Sequence, residues 1–396
     1  MAIMGPHGLE QAEFNKLVEQ VHEAGRGVIQ PLAVEVDRDA RFPTEGMEAL
    51  KKLKLLSAYV PAELGGMGMN VVQIAKICEV LGLYCGSTAM IFAMHQIQVA
   101  CLVQHGLTSA FFRDYLRDLA AGQRLMASAT TEVGTGGDLR SSICAVELEG
   151  ERFKLTKQAP VISYGEAADD IMVTARRNGA APASDQVHVL VKRGDYALAP
   201  ICGWDTLGFR ATCSSGYTLT SVGPAEQIVS APFSDILAQT MHPYAHIVWS
   251  SLWSGIATDA VNQARAFVRA EARKNPDAPR ISAMRLAETD SVLQTMRNNI
   301  GAAAREYLDL LAAGDREAFS NFGFSIRINN LKISSSQLIV DIVGRAMLIC
   351  GISGYRNDSK FSLCRHLRDA YGAALMVNND RIMNHNATML TVYREG

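Results

Sequence analysis

The spacing of apolar residues changes twice along this chain of 396 residues. Up to about Leu119, apolar residues recur every three or four positions, which is typical of amphipathic helices. Between about Arg124 and Ser234 they form short alternating or β-branched runs with glycine at the breaks, as in small antiparallel sheets. The helical spacing then returns from about Phe233 to the end. This order limits the chain to a small set of α+β architectures.

The two changes divide the sequence into three regions. We predict an N-terminal α-helical domain over 1–122, a central β domain over 123–235 and a C-terminal helical bundle over 236–396. Four long helical runs joined by short loops in the last region indicate an antiparallel four-helix bundle. The predicted fold class is therefore multi-domain α+β, with a central antiparallel β-barrel or sandwich between two helical parts.

Composition and charge argue against several classes of function. The net charge is −2 and no basic block is longer than a pair, so no nucleic-acid or membrane-surface partner is predicted. Eight scattered cysteines without a C-x-x-C pair argue against a zinc site and a disulfide framework. The N-terminus has no cationic region before an apolar core, and no apolar run reaches about 18 residues. We therefore predict a cytoplasmic protein without a signal peptide or membrane span.

A glycine-rich segment, SATTEVGTGGDLRSS, is the first candidate for chemistry. Its glycines Gly134, Gly136 and Gly137 expose backbone N–H groups, and Thr131 adds a hydroxyl. Such a loop could cradle a phosphate or hydrogen-bond the edge of a flavin. A plain turn before a strand is the alternative, because no P-loop lysine and no strand–helix context support a nucleotide site.

Six motifs occur in one order along the chain. From the N-terminal end they read FPTEGMEALKKLKLLSAYVPAELGGMGMN, ASATTEVGTGGDL, ISYGEAADDIMVTAR, WDTLGFRATCSSGYTL, ICGISGY and LRDA. This series resembles the acyl-CoA dehydrogenase superfamily from about residue 10 to 385. Members of that family enclose FAD with an N-terminal helical domain, a central β domain and a C-terminal four-helix bundle. The spacing of apolar residues gives the same order of domains.

The resemblance implies a set of residues that contact FAD, with FMN as the alternative cofactor. Thr131 would hydrogen-bond the pyrimidine end of the isoalloxazine, Gly136 would let the backbone approach it, and Ser163 would offer a hydroxyl. Gly137 stands where the family has a serine at the pyrophosphate, and Val161 stands where it has a stacking aromatic ring. The implied cofactor-binding residues are Ala129, Thr131, Gly136, Gly137, Ser163, Arg273, Gly351 and Asn379.

Two of these residues are expected to lie beside the cofactor of a neighbouring subunit. Arg273 falls near the family's Arg-x-Phe-Gly loop, although the sequence here reads RKNPDAPR and an exposed cation at a helix end is the alternative. Gly351 and Gly354 keep glycines of the family's Q-I-H-G-G-x-G stretch within LICGISG. The resemblance therefore implies a homodimer or a homotetramer.

The resemblance also implies a place for the catalytic base, and no carboxylate stands there. The family reads R-D-A, six residues and then a glutamate, which removes the substrate α-proton while the flavin takes the β-hydride. Aligning Arg368-Asp369-Ala370 without a gap puts Val377 at this position. Some branches supply the glutamate from the first bundle helix, where this chain has Ala245.

Two side chains are candidates for the missing base. Asp380 lies about one helical turn beyond Val377 and could share its helix face, with a solvated polar face as the alternative. His246 has a near-neutral unperturbed pKa and lies where the family usually has a substrate-contacting arginine, with a structural histidine as the alternative. The sequence leaves the catalytic residue unknown, and no metal site is predicted.

Three functions are compatible with these residues. The first is an FAD-dependent oxidoreductase of fatty acid metabolism. It would catalyse α,β-dehydrogenation of an acyl thioester on CoA or an acyl carrier protein, with a non-standard base and an electron-transfer flavoprotein as acceptor. The second is a flavin-dependent monooxygenase that receives reduced flavin from a flavin reductase. The third is a non-catalytic acyl- or flavin-binding scaffold. The family favours the first, whereas loss of the base and of the stacking aromatic ring favours the second.

Overall fold

The computed structural model describes residues 7–136, 138–274 and 281–394. Its N-terminal part is helical, and a π-helical turn at Gly25–Ile29 joins the first two helices. These helices are α1 (Gln11–Ala24), α2 (Gln30–Arg38), α3 (Thr44–Lys52), α4 (Val71–Tyr84), α5 (Gly86–His105) and α6 (Ala110–Gly122). Short 3-10 turns at Leu55–Ser57 and Ala62–Leu64 separate α3 from α4.

Local chemistry determines where α4 begins. The Asn70 side chain accepts a hydrogen bond from the Gln73 amide at 3.1 Å, and the Gln73 side chain accepts one from the Asn70 amide at 3.4 Å. This reciprocal capping box satisfies amide groups that a helix start leaves unpaired. In the loop before it, a Cβ on Gly66 would lie 2.1 Å from the Val60 carbonyl oxygen, so only glycine fits.

Within the described ranges, seven strands form two sheets. The strands are β1 (Met126–Ala129), β2 (Glu147–Glu149), β3 (Arg152–Ala159), β4 (Asp170–Arg176), β5 (Gln186–Lys192), β6 (Tyr196–Cys202) and β7 (Gly216–Pro224). One sheet has the order β1-β4-β5 and the other β2-β3-β7-β6. The pairs are antiparallel, as predicted, except that β1 runs parallel to β4 with Met126 opposite Asp170. Parallel neighbours need a long crossover, and here β2 and β3 lie within it.

Buried polar side chains hold this sheet against the N-terminal helices. Asp170 is fully buried and accepts hydrogen bonds at 2.7 Å from the Arg124 guanidinium and from the Tyr115 hydroxyl. The Met126 amide donates to Nδ1 of the buried His95 at 3.0 Å. The end of the β1–β4 pairing where Met126 faces Asp170 is thereby tied to helices, because buried polar groups need hydrogen-bond partners.

The C-terminal part is helical again, and a π-helical turn at Leu237–Met241 leads into its first long helix. Its helices are α7 (Phe233–Ile236), α8 (His242–Lys274), α9 (Ile281–Ala313), α10 (Phe322–Cys350), α11 (Ile352–Tyr355), α12 (Cys364–Leu375) and α13 (Asn379–Leu390). Helix α8 packs against α9 and α10, and α10 packs against α12 and α13. The predicted fold class is confirmed.

The N-terminal helices meet the bundle through a close contact between α4 and α8. A Cβ on Gly82 would lie 2.3 Å from the Leu252 carbonyl oxygen, and one on Gly255 would lie 2.1 Å from the Glu79 carbonyl oxygen. The two helices therefore touch backbone to backbone, which only small residues allow.

Two helices are long and apolar enough to cross a membrane by length and composition. They are α5 and α10, and the most apolar 18-residue windows are 94% and 44% buried inside the protein. Neither helix is an uninterrupted apolar run of about 18 residues, which is what the sequence analysis excluded. Because α5 is apolar on every side and buried among other elements, it has the character of a core helix.

Candidate functional site

A cavity of about 610 Å³ lies where the three parts of the chain meet. One wall comes from α5 and α8, a second from loops of the β region, and a third from the end of α12 and the residues after it. Binding sites for small molecules and cofactors have this size and occur at such junctions. The cavity is therefore the candidate functional site.

The helical wall is apolar because of residue spacing. Met90, Met94 and Ile97 recur every three or four positions on α5, so they share one helix face. Met241 and Ala245 repeat this spacing from the π-helical turn into α8. The two faces together give the cavity an apolar surface.

The wall from the β region carries hydroxyl groups. The Ser214 hydroxyl donates to Oγ of Ser163 at 2.8 Å, and Thr212 lies 2.7 Å from Ser214. Because a hydroxyl has one hydrogen and Ser163 accepts here, the Ser163 hydrogen can point to a ligand. The Thr131 hydroxyl donates to the Val161 carbonyl oxygen at 3.2 Å, which leaves its lone pairs as acceptors. Thr131, Val161 and Ser163 line the cavity.

The glycine-rich loop is held by a buried ion pair that the sequence analysis missed. The Glu132 carboxylate accepts hydrogen bonds from the Ser142 hydroxyl at 2.8 Å and from the amides of Ile143 and Cys144 at 2.9 and 2.6 Å. Lys157 lies 3.4 Å away, and burial lowers the pKa of its ammonium group. The signal was the alternation of β3, which places Lys157 on the buried face.

Helix α13 contacts the tip of this loop. The Arg381 side chain donates to the Gly136 carbonyl oxygen, and Arg140 donates to Nε2 of His385 at 2.9 Å. Gly136 has a φ of 60°, in the left-handed region that glycine tolerates. Gly137 lies outside the described residues, so its predicted role stays a prediction.

The helix expected through Val377 and Asp380 is interrupted between Leu375 and Asn379. Val377 has a φ of 45°, and the Asn378 side chain caps α13 by accepting from the Asp380 amide at 2.8 Å. The expectation that Asp380 shares a helix face with Val377 is therefore wrong. Val377 lines the cavity, whereas Asp380 is exposed and does not line it.

A buried lysine stabilises this interruption. Lys332 on α10 donates to the Val377 carbonyl oxygen at 2.8 Å and to Oδ1 of Asn379 at 2.6 Å. The Asn379 amide nitrogen donates to Ser336 at 3.0 Å. The Asn379 side chain is thus occupied by α10 and does not line the cavity.

The remaining predicted cofactor residues lie off the cavity wall. Ala129 ends β1 and is buried, Arg273 is exposed near the end of α8, and Gly351 is exposed just after α10. The roles predicted for Arg273 and Gly351 concern a neighbouring subunit, and they stay predictions.

His246 lines the cavity and has a defined tautomer. Its Nδ1 lies 3.2 Å from the Ile328 carbonyl oxygen, which can only accept, so Nδ1 carries the proton and Nε2 keeps its lone pair. Burial, together with His242 nearby, lowers the pKa of His246 well below its usual value. Burial also lowers the pKa of His242 to about 4. Both imidazoles are therefore neutral at pH 7.

The LRDA motif joins two walls of the cavity. The buried Asp369 accepts a hydrogen bond from the Phe209 amide at 2.7 Å, and Arg368 pairs with Asp37. Burial raises the pKa of the Asp369 carboxyl group. A Cβ on Gly208 would lie 2.2 Å from the Arg368 carbonyl oxygen, so LRDA and WDTLGFR touch closely. The sequence showed both motifs but not their contact.

Among the described residues, no aspartate or glutamate lines the cavity. Its ionisable side chains are His242, His246, Arg368, Tyr371 and Arg381. The described ranges also hold no group of three or more histidine, cysteine or acidic residues arranged to bind a metal ion.

Comparison with known proteins supports the resemblance to one family. Residues 11–123 match the family model for the N-terminal domain of acyl-CoA dehydrogenases. Over 360 residues the chain is 24% identical to the short-chain-specific acyl-CoA dehydrogenase of Clostridium acetobutylicum, covering 90% of this chain and 92% of that one. These matches support the acyl-CoA dehydrogenase superfamily, with its N-terminal domain at residues 11–123. The resemblance carried by the six motifs is thereby confirmed.

Solved structures share the fold of this chain. Butyryl-CoA dehydrogenase from Megasphaera elsdenii superposes with a TM-score of 0.81 at 18% identity, covering 97% of this chain and 99% of that one. FMN-bound TdsC from Paenibacillus sp. A11-2, a dibenzothiophene monooxygenase, gives 0.84 at 16% identity, covering 96% and 98%. Together with the relatives, these structures support an oxidoreductase with a flavin cofactor, as predicted.

Proposed function

We propose that this chain is an FAD-dependent oxidoreductase that binds the apolar part of an acyl thioester in the cavity and oxidises its α,β carbon–carbon bond. The observation that carries the proposal is the composition of the cavity walls. A wall of hydroxyl groups faces the same space as an apolar helical wall, and Val377, which the resemblance aligns with the family's base, lines that space. The dehydrogenase relative over 90% of the chain supports the same reaction.

The residues on the wall fit the edge of a flavin. Ser163 can donate a hydrogen bond and Thr131 can accept one. Gly136 does not line the cavity, but no atom lies within 4 Å of its Cβ position. A bound flavin would supply the acceptor for a hydride. Val161 lines the same wall but offers no ring for stacking, so these residues alone would hold the flavin edge.

His246 is the candidate that would hold the substrate α-proton, at Nε2. The hydrogen bond to Ile328 keeps Nδ1 protonated and orients the ring, which is what a proton acceptor requires. Because burial disfavours the imidazolium and lowers the pKa of His246, it is a weaker proton acceptor than a solvent-exposed histidine. Slow dehydrogenation follows from this arrangement.

An anaerobic titration tests the proposal. The purified protein, with its bound flavin identified, is mixed with a panel of saturated acyl-CoAs while the absorbance of oxidised flavin is recorded. Bleaching with one type of chain supports a dehydrogenase. Flavin that stays oxidised with every thioester contradicts it.

Replacing Val377 with glutamate sharpens this test. Because Val377 lines the cavity, Val377→Glu should increase the rate of bleaching by about 100-fold or more, the usual contribution of a positioned general base. Val377→Gln is the matched control, since it has the same shape without a carboxylate. Equal rates for the two variants would show that the carboxylate at this position does not act as a base.

Oxygenation by reduced flavin is the second candidate, and the cavity wall favours it specifically. No carboxylate lines the cavity among the described residues, and both histidines are buried and neutral. We propose FMN or FAD from a flavin reductase as the cofactor in this case. Oxygen uptake that requires the reductase would support it, and absence of both reactions would leave a binding scaffold.

We also propose that the protein is a cytoplasmic homodimer or homotetramer. Large apolar side chains are exposed where α10 ends and α11 and α12 follow, with exposed fractions of 72% for Leu348, 71% for Ile352 and 74% for Leu375. Leu348 and Ile352 lie four positions apart across the junction of α10 and α11, and exposed apolar patches commonly mark an interface.

Under the first candidate, the dehydrogenase, the electron acceptor is an electron-transfer flavoprotein.

Light scattering tests the oligomer. Leu348→Glu should lower the molar mass in solution, because a buried unpaired carboxylate opposes association. Val34→Glu is the control, since Val34 is 65% exposed on α2 at a distant position in the sequence. Unchanged mass for Leu348→Glu would contradict an interface at this surface.

A further inference from the structure

The cavity wall from α8 has a small residue between two large ones. Met241, Ala245 and Trp249 follow one another at intervals of four residues, and all three line the cavity. Residues at this spacing share one helix face, with one turn of about 5.4 Å between neighbours. The methyl group of Ala245 therefore lies at the bottom of a recess whose two sides are a thioether and an indole ring.

No neighbouring side chain closes this recess off from the cavity. A side chain that filled it would separate Ala245 from the cavity, yet Ala245 lines the cavity and keeps 4% of its surface exposed. Atoms that border empty space lose packing contacts, so an apolar group of the ligand gains by entering it. A straight acyl chain is narrow and leaves a lateral recess empty, whereas the extra carbon atoms of a branch or a ring can occupy it.

The recess lies beside the candidate proton acceptor. His246 follows Ala245 directly in the chain and lines the same cavity. In the proposed reaction the α-carbon of the substrate must come close to Nε2 of His246. The atoms in the recess are therefore those next to the reacting carbon atoms, and not the far end of the acyl chain.

We propose that the substrate is an acyl thioester with a branch or a ring at its α- or β-carbon, and that Ala245 selects this shape. The flexible thioether of Met241 can adapt to either group, and Trp249 offers a flat apolar surface. The inference rests on the proposed function, because it takes this cavity as the thioester site and His246 as the proton acceptor.

Matched pairs of thioesters test the preference for shape directly. Anaerobic calorimetry on the flavin-loaded protein compares cyclohexanecarbonyl-CoA with heptanoyl-CoA, and isovaleryl-CoA with valeryl-CoA. The two members of each pair have the same number of carbon atoms, so their apolar content is similar and a difference in affinity reports shape. We expect the cyclic or branched member of at least one pair to bind about tenfold more tightly.

Variants locate this preference at Ala245. Ala245→Leu should abolish it, because the larger side chain fills the recess, and should change the affinity for the straight-chain member by about twofold or less. Ala245→Val adds less volume and should reduce the preference without abolishing it. Ala266→Leu is the matched control, since Ala266 is exposed on α8 and does not line the cavity. Flavin content, measured by absorbance after heat release, should be unchanged in all three variants.

The outcomes separate this inference from the proposed function. If the wild-type protein binds both members of each pair equally, or if Ala245→Leu and Ala245→Val keep the preference, the recess does not select the substrate and the inference is wrong. If these two variants fold but lose flavin, the recess belongs to the cofactor, which also overturns it. If no thioester binds to protein that retains flavin, the proposed function is contradicted as well.

Discussion

Val377 combines an unfavourable backbone conformation with a position on the cavity wall. A β-branched residue in the left-handed region costs roughly 1–2 kcal/mol, so other contacts must hold it there. Lys332 supplies them by donating to the Val377 carbonyl oxygen and to Asn379. Hydrogen bonds from α10 therefore hold an aliphatic side chain against the cavity in this backbone conformation.

Lys332 should give the folding stability a distinctive pH dependence. Burial lowers its pKa in the folded state from 10.5 to about 7, so between these values the unfolded state holds one more proton. Its contribution to the free energy of unfolding therefore rises with pH, by up to about 1.4 kcal/mol per unit. Below pH 7 the Lys332 side chain is charged in both states, so the full cost of burying its charge lowers the free energy of unfolding.

Denaturant unfolding between pH 6 and 10 tests whether Lys332 causes this pH dependence of the unfolding free energy. The difference in unfolding free energy between wild type and Lys332→Met should grow as the pH rises from about 7. Lys51→Met is the control, since Lys51 lies on α3 in an exposed salt bridge with Glu48. A difference that stays constant over this range would show that Lys332 titrates as it does in the unfolded chain.

At the scale of elements, the contact between α4 and α8 fixes how the N-terminal helices sit on the bundle. Gly82 and Gly255 lie on facing sides of that contact, each against a carbonyl oxygen of the other helix. Because α5 and α8 both line the cavity, a shift of α8 would also alter the cavity walls.

Gly255→Ala should therefore destabilise the protein. The added Cβ would lie 2.1 Å from the Glu79 carbonyl oxygen, and relieving this clash should cost roughly 1–3 kcal/mol of unfolding free energy. Gly344→Ala on α10 is the matched control, because its Cβ would have nothing within 4 Å. That variant should instead gain up to about 1 kcal/mol from helix propensity. Equal effects of the two substitutions would contradict the close contact.

Across the whole molecule, buried neutral histidines make the fold sensitive to acid. Burial lowers the pKa of His95 and His242 to about 4 and of His105 and His188 to about 3, against 6.5 as the reference value. Between these values the unfolded chain binds protons that the folded chain cannot. The contribution of these neutral histidines to the free energy of unfolding is therefore fully present above pH 6.5, and it is lost as the pH falls below 6.5.

His188 offers the sharpest test of this acid sensitivity. Both of its ring nitrogens are buried without a partner among the described residues, so the structure loses no hydrogen bond when the ring is replaced. His188→Leu should weaken the decline in unfolding free energy between pH 6.5 and 4 by up to about 1.4 kcal/mol per unit. His7→Leu, at an exposed position, should leave the decline as it is in the wild type. An unchanged decline in His188→Leu would show that His188 does not contribute to the acid sensitivity.

Much of the fold and part of the site could be predicted because their signals are local. Helical and strand spacing gave the order of elements, since each spacing reports which side of a single element is apolar. Thr131, Ser163, His246 and Val377 line the cavity. The other described residues predicted to bind the cofactor do not line it, namely Ala129, Gly136, Arg273, Gly351 and Asn379. The network of Glu132 was missed, because its partners lie up to 25 residues away.

The sequence by itself determined three regions, a resemblance to a flavoprotein family and the lack of a glutamate at residue 377. Only the tertiary structure decided that the helix stops before Val377, because Lys332 is 45 residues away and no local pattern reports its hydrogen bond. The tertiary structure likewise placed Asp380 away from the cavity. Spacing shows which side of an element is apolar, but which groups meet across elements depends on how those elements pack.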